Sequence, residues 1–144
     1  MEHRKNFTLT LVSNKTPKEV FDIVSDPRKW WQGYHGEIFE GDTDKLNAEF
    51  TFTAGNGAHY TKQRVVEFEP EKRMTWLITE SNLNFVDTVD EWTGTKIIFE
   101  ISTKGNQSQL VFTHEGLTQD FECYDSCAPS WTEYLQNKLR PLLN

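Results

Sequence analysis

A run of side chains able to bind a metal or carry thiol chemistry lies near the C-terminus. These are His114, Glu115, Glu122, Cys123, Asp125 and Cys127, within FTHEGLTQDFECYDSC (112–127). Such residues serve a zinc-type site, a redox pair, or the packing and hydrogen bonding of a fold. Zinc needs three or four ligands, and cysteine is the most telling of them. Cys123 and Cys127 stand four apart, so on a helix they share one face, and His114, ending a strand, can lie near the helix start. However, the usual paired-cysteine signature is C-x2-C, often duplicated, and neither feature is present. Free cysteine is among the most buried residue types. The spacing therefore predicts two reduced, half-buried thiols bordering an apolar helix face, with no bound metal and no disulfide.

His114 shares strand alternation with Leu110 and Phe112, on the side that should face a helix, while Glu115 points to the other face. An inward histidine is ordinarily a hydrogen-bonded structural residue. Its functional alternative is a polar anchor in a cavity, or a weak general base. The sequence places no carboxylate or hydroxyl to complete a triad with it.

The elements that must position these residues follow from periodicity. Phe7, Leu9 and Leu11 alternate with Thr8 and Thr10, which predicts a strand. In TPKEVFDIV, Thr16 is an N-cap, Pro17 the first helical residue and Glu19 the partner in a capping box. Asp26–Pro27 repeats the device, predicting a short second helix. Residues 34–117 read as a chain of hairpins. Phe50 and Phe52 alternate with threonine, AGNGAH turns at Asn56–Gly57, and RVVEFEPEKRMTWLI turns at Pro70, where Glu67 and Arg73 should pair. TKIIFEIST and SQLVFTHEG are joined by KGNQ. The GNG run is a turn rather than a phosphate loop, and EGDTDK is a solvated loop. TESNLNFVDTVDEW is expected to be loop or irregular edge. Beyond Gly116 an apolar stripe of Phe121, Tyr124, Ala128, Trp131, Leu135, Leu139 and Leu142 predicts a long helix, with a kink or a fresh start just before Pro129.

Composition sets further bounds. A chain of 144 residues suits one domain, 1–144, with a core large enough to need neither metal nor disulfide. Fifteen basic against 22 acidic residues give a net charge of −7, which argues against a general nucleic-acid or anionic-membrane binder. No apolar run approaches the length of a membrane span. The basic start MEHRKNFTLTLV reads as a strand, not a signal peptide, and unpaired thiols fit a cytoplasmic location.

Strand, two short helices, about six strands and a long helix describe an α+β protein: a curved antiparallel sheet gripping a C-terminal helix. This order resembles the START-like, helix-grip superfamily (SRPBCC). TPKEVF, WW (30–31), VVEFEPEKRMTW, EWTGTKIIFEI, FTHEGL and ECYDSCAPSW make it similar to the branch that contains the C-terminal domain of the activator of heat-shock-protein-90 ATPase. The resemblance implies a cavity between sheet and helix that takes an apolar small molecule, aromatic or lipid-like, with no metal or organic cofactor. The cavity candidates are Trp76, Ile78, Phe99, Phe112, His114, Tyr124, Trp131 and Leu135, with Trp92 another large ring in view. Two alternatives stay open. One is a cyclase- or aromatase-like enzyme using His114 or Tyr124. The other is an interaction module with a protein partner such as a chaperone, although 144 residues leave no room for the activator's separate chaperone-binding domain.

Overall fold

Phe7, Leu9 and Leu11 need one face covered. In the computed structural model, which describes residues 5–144, they lie in strand β1 (Phe7–Ser13). The basic lead at Met1–Arg4 lies outside the described residues. Thr16 then caps helix α1 (Pro17–Val24). Its hydroxyl accepts from the Glu19 N–H, and the Glu19 carboxylate accepts from the Thr16 N–H, so two otherwise unpaired donors are satisfied reciprocally. The Asp26–Pro27 device yields a single 3-10 turn, Pro27–Lys29, with Asp26 accepting from the Arg28 N–H. Trp30 and Trp31 follow it and are both buried.

Six more strands complete the sheet: β2 (Ile38–Gly41), β3 (Glu49–Ala54), β4 (His59–Glu69), β5 (Arg73–Leu83), β6 (Lys96–Lys104) and β7 (Gln107–Glu115). Their order is β1-β7-β6-β5-β4-β3-β2, and all neighbours are antiparallel. It is a meander with β1 returned beside β7. Asn56 and Gly57 take positive φ in the β3–β4 turn and Glu71 does so after Pro70, as the turn residues require. Register shifts in β4 at Lys62/Gln63 and Val65/Glu67 add local bend and twist to the sheet. Arg73 pairs with Glu67 at 3.0 Å, as expected, and also with Glu100 at 2.8 Å. The segment that reads as loop from Thr79 onward is strand as far as Leu83, held by β4, and only then becomes a loop leading to β6.

The C-terminal helix runs from residue 124 to 142 as α2 (Tyr124–Glu133), a π-helical stretch (Tyr134–Leu139) and a last turn, α3 (Arg140–Leu142). The expected start just before Pro129 is corrected: Pro129 lies inside α2. Both Pro129 and Asp125, whose carbonyl the missing N–H would have reached, are exposed, so water meets the lost bond. The irregularity comes later. The π stretch adds a residue to its turn, which shifts the apolar stripe. Trp131, Leu135 and Leu139 are buried as expected, but Tyr134 and Leu143 join them and Leu142 is 38% exposed.

Candidate functional site

The start of α2 is fixed by the loop between β5 and β6. The Glu91 carboxylate accepts from the N–H groups of Glu122 (3.0 Å) and Cys123 (2.9 Å), donors that a helix start leaves unpaired. Glu122 reaches back to accept from the N–H groups of Asp87 (3.1 Å) and Thr88 (2.9 Å) and from the Thr88 hydroxyl. Those three bonds hold the Glu122 carboxyl below its usual pKa, the Thr88 hydroxyl most strongly. The Trp92 indole donates to Cys123 Sγ at 3.2 Å. EWTGT and ECYDSC thus form one clamp of loop on helix.

Between this clamp, the β3–β4 hairpin and the helix lies a pocket of about 240 Å³. Its walls are mainly rings: Trp31, Phe52, His59, Trp92, Trp131 and Tyr134. Trp31 stacks on Phe52 with centroids 4.1 Å apart and leans on Trp131 at 4.7 Å, while Trp92 lies nearly parallel to Trp131 at 6.1 Å. His35, Gly55, Phe85 and Ser126 also line it and are exposed, so the pocket has an open rim. A cavity of about 150 Å³ accommodates benzene, and drug-sized pockets start near 300 Å³. This space therefore suits one or two fused rings.

His114 lies under the pocket, fully buried. The Trp131 indole donates to its Nδ1 at 3.1 Å, and its Nε2 meets the Thr95 hydroxyl at 2.9 Å. An indole only donates, so Nδ1 is the acceptor and Nε2 carries the proton. Thr95 passes the chain on to the Trp92 carbonyl at 2.6 Å. Every member is satisfied, and burial pushes the His114 pKa down to about 3. His114 is therefore a neutral strut between sheet, loop and helix. Both of its nitrogens are committed to protein partners.

Tyr134 is oriented by Glu37, whose carboxylate accepts from the Tyr134 hydroxyl and from the backbone N–H groups of Gly33, Tyr34 and His35. Burial would raise the Glu37 pKa, but these donors outweigh it and hold it low. Burial, and then the carboxylate, raise that of Tyr134. His59 has no such support. Burial lowers its pKa to about 4, offset in part by its own backbone carbonyl, and its Nδ1 is buried without a partner.

The histidines make stability depend on pH. His114 is neutral when folded, whereas in the unfolded chain it titrates near the ordinary 6.5. Below that pH the unfolded state binds the extra proton. The stabilisation is therefore complete above pH 6.5 and is lost as pH falls toward the folded value near 3, by about 1.4 kcal/mol per pH unit. His59 adds a loss of the same sign. Urea unfolding between pH 6.5 and 4.5 should show this slope; a flat profile contradicts the neutral, buried assignment.

Of the sequence-derived cavity candidates, Trp131 lines the pocket. Trp76, Ile78, Phe99, Phe112, His114 and Leu135 are fully or almost fully buried in the packed core, and Tyr124 is half-buried and packs against the core without lining the pocket. Trp92, also noted from sequence, lines it. Trp31, Phe52, His59 and Tyr134 were missed as lining. The WW pair signalled a large ring at Trp31, Tyr134 follows Trp131 by three on the same helical face, and β4 decides which way His59 faces.

The cysteine expectation is corrected. Cys123 and Cys127 are joined as a disulfide across the first turn of α2, with Cα atoms 5.5 Å apart, inside the normal range. One helical turn suffices to bring them together, and no distant partner is needed. Free thiols were the ground for expecting a reducing compartment, and that ground falls away. Among the described residues no three His, Cys, Asp or Glu side chains gather to hold a metal. None of the described helices is long and apolar enough to cross a membrane.

A curved seven-stranded antiparallel sheet, short helices after β1 and a 19-residue C-terminal helix make this an α+β helix-grip protein. Residues 14–144 match the Activator of Hsp90 ATPase homolog 1-like protein family, and the chain belongs to it. No curated protein matches the chain in sequence. Its fold is similar to the solution structure of the Aha1 dimer from Colwellia psychrerythraea, at TM-score 0.73 and 20% identity over 96% of both chains. It is also similar to a Bacillus halodurans protein, at 0.71 and 14% over 100% of both, and to a Rhizobium loti protein, at 0.73 and 15% over 98% of both. This is the fold of ligand-binding or interaction modules in general.

Proposed function

We propose that this chain binds one compact, largely apolar aromatic molecule between the β3–β4 hairpin and the C-terminal helix. The observation that carries the reading is the pocket of about 240 Å³ with an open rim, walled by four stacked or tilted rings on a satisfied polar base. A ring-lined gap with an open rim can admit a small molecule from solvent. Apolar burial at about 25 cal/mol per Å² supplies the affinity, and the small volume favours a compact ring system over an extended lipid chain. The enzyme alternative stood on His114 and Tyr124. The first has both nitrogens committed, and the second is not part of the pocket wall. The domain is taken as 1–144. Native mass spectrometry of protein purified from its own host tests the reading. A single small molecule, retained under gentle conditions and released on unfolding, is expected. Repeated isolation of bare protein, together with failure to bind any apolar aromatic added back, contradicts it.

A further inference from the structure

The pocket's polar atoms are mostly committed. The Trp92 indole donates to Cys123 Sγ, the Trp131 indole to His114, the Tyr134 hydroxyl to Glu37 and the Ser126 hydroxyl to the Cys123 carbonyl. His59 differs. Its ring stands edge-on to Trp92 (4.6 Å) and Phe52 (5.3 Å) and stacks on Phe85 at 6.1 Å. All three of these rings line the pocket. Among the described residues no group hydrogen-bonds to the ring's buried Nδ1. Nδ1 is buried and unpartnered, and the ring forms part of the pocket wall. A neutral imidazole carries a single proton, so with that proton on Nδ1 the other nitrogen, Nε2, presents a lone pair.

We propose that the pocket selects a neutral phenol-type aromatic, one or two rings in size, whose hydroxyl donates to Nε2 of His59. The inference rests on the small-molecule reading of the pocket and names its ligand class. The rings supply the stacking surface. Apolar walls disfavour a charged ligand that brings no counter-charge. An acceptor lone pair in such a site prefers a ligand with a donor over its isostere without one, because burying the unmet acceptor is costly.

The test compares naphthalene, 2-naphthol and 2-methoxynaphthalene by calorimetry on the native chain and on His59→Phe, which keeps a ring against Trp92 and Phe52. The preference for 2-naphthol over 2-methoxynaphthalene should be about fivefold greater in the native chain, the size of one neutral hydrogen bond. Comparing native with variant cancels the ligands' own hydration. Far-UV circular dichroism of the variant shows that it is folded. Equal preferences in the two proteins overturn the anchor while leaving the pocket reading intact. Failure of naphthalene to bind the native chain overturns the pocket reading and the anchor with it. Histidine ¹⁵N spectra of the native protein give a second readout that needs no variant. On adding 2-naphthol the His59 Nε2 resonance should move and that of His114 should not, and an unmoved His59 signal overturns the proposal.

Discussion

Trp131→Ala should lower the unfolding free energy by about 3–5 kcal/mol, the usual cost of removing a large aromatic from a core. The ring touches Trp31 and Phe112 at 4.7 Å and is 2% exposed. Its indole is also the donor to His114 Nδ1, so truncation leaves a buried acceptor unmet as well as a void. Trp131→Phe keeps much of the ring surface while dropping the hydrogen bond and the smaller ring of the indole. It should cost less than half as much. Urea midpoints read at constant m measure both. A midpoint for Trp131→Ala equal to that of the parent refutes burial of this helix face.

Ser130→Trp should weaken binding of an apolar aromatic by about a hundredfold, equivalent to roughly 110 Å² of apolar surface that the ligand no longer buries. Ser130 lines the pocket and is only half-buried. A large side chain placed there fills the gap without displacing packed core, so stability should hold or rise slightly. Thr132→Trp is the control, since Thr132 is exposed and not part of the pocket wall, and it should leave affinity unchanged. Equal affinities for the two variants would place any ligand elsewhere.

Much of the fold was legible because local chemistry and periodicity agreed. Thr16, Pro17 and Glu19 specify a helix start within four residues, and the cap forms as read. Alternation in Leu110, Phe112 and His114 placed a histidine against the helix, where it is found. The pocket was less legible. Alternation says which residues face inward but not where packing fails to close. Trp76, Phe99 and Phe112 face inward and are filled over, with Trp76 and Phe99 edge to face at 4.8 Å and Phe99 and Phe112 at 5.5 Å. The gap instead opens toward the β3–β4 hairpin, where Ala54, Gly55 and Ala58 supply little side-chain volume. Tyr134 lies three residues after Trp131, on the same helical face, and was passed over for its neighbour Leu135, whereas the π stretch accounts for the exchange of Leu142 for Leu143 in the core. The cysteines were misread because spacing of four fits packed thiols and a one-turn disulfide equally well.

If the ring-lined pocket receives a compact aromatic molecule, chemical-shift mapping of the labelled chain, titrated with naphthalene-sized compounds, should show saturable shifts concentrated at Trp31, Gly55, His59, Trp92 and Ser130, with residues on the outer face of the sheet unmoved. Shifts confined to the outer face, or none with any compound of this class, would contradict it.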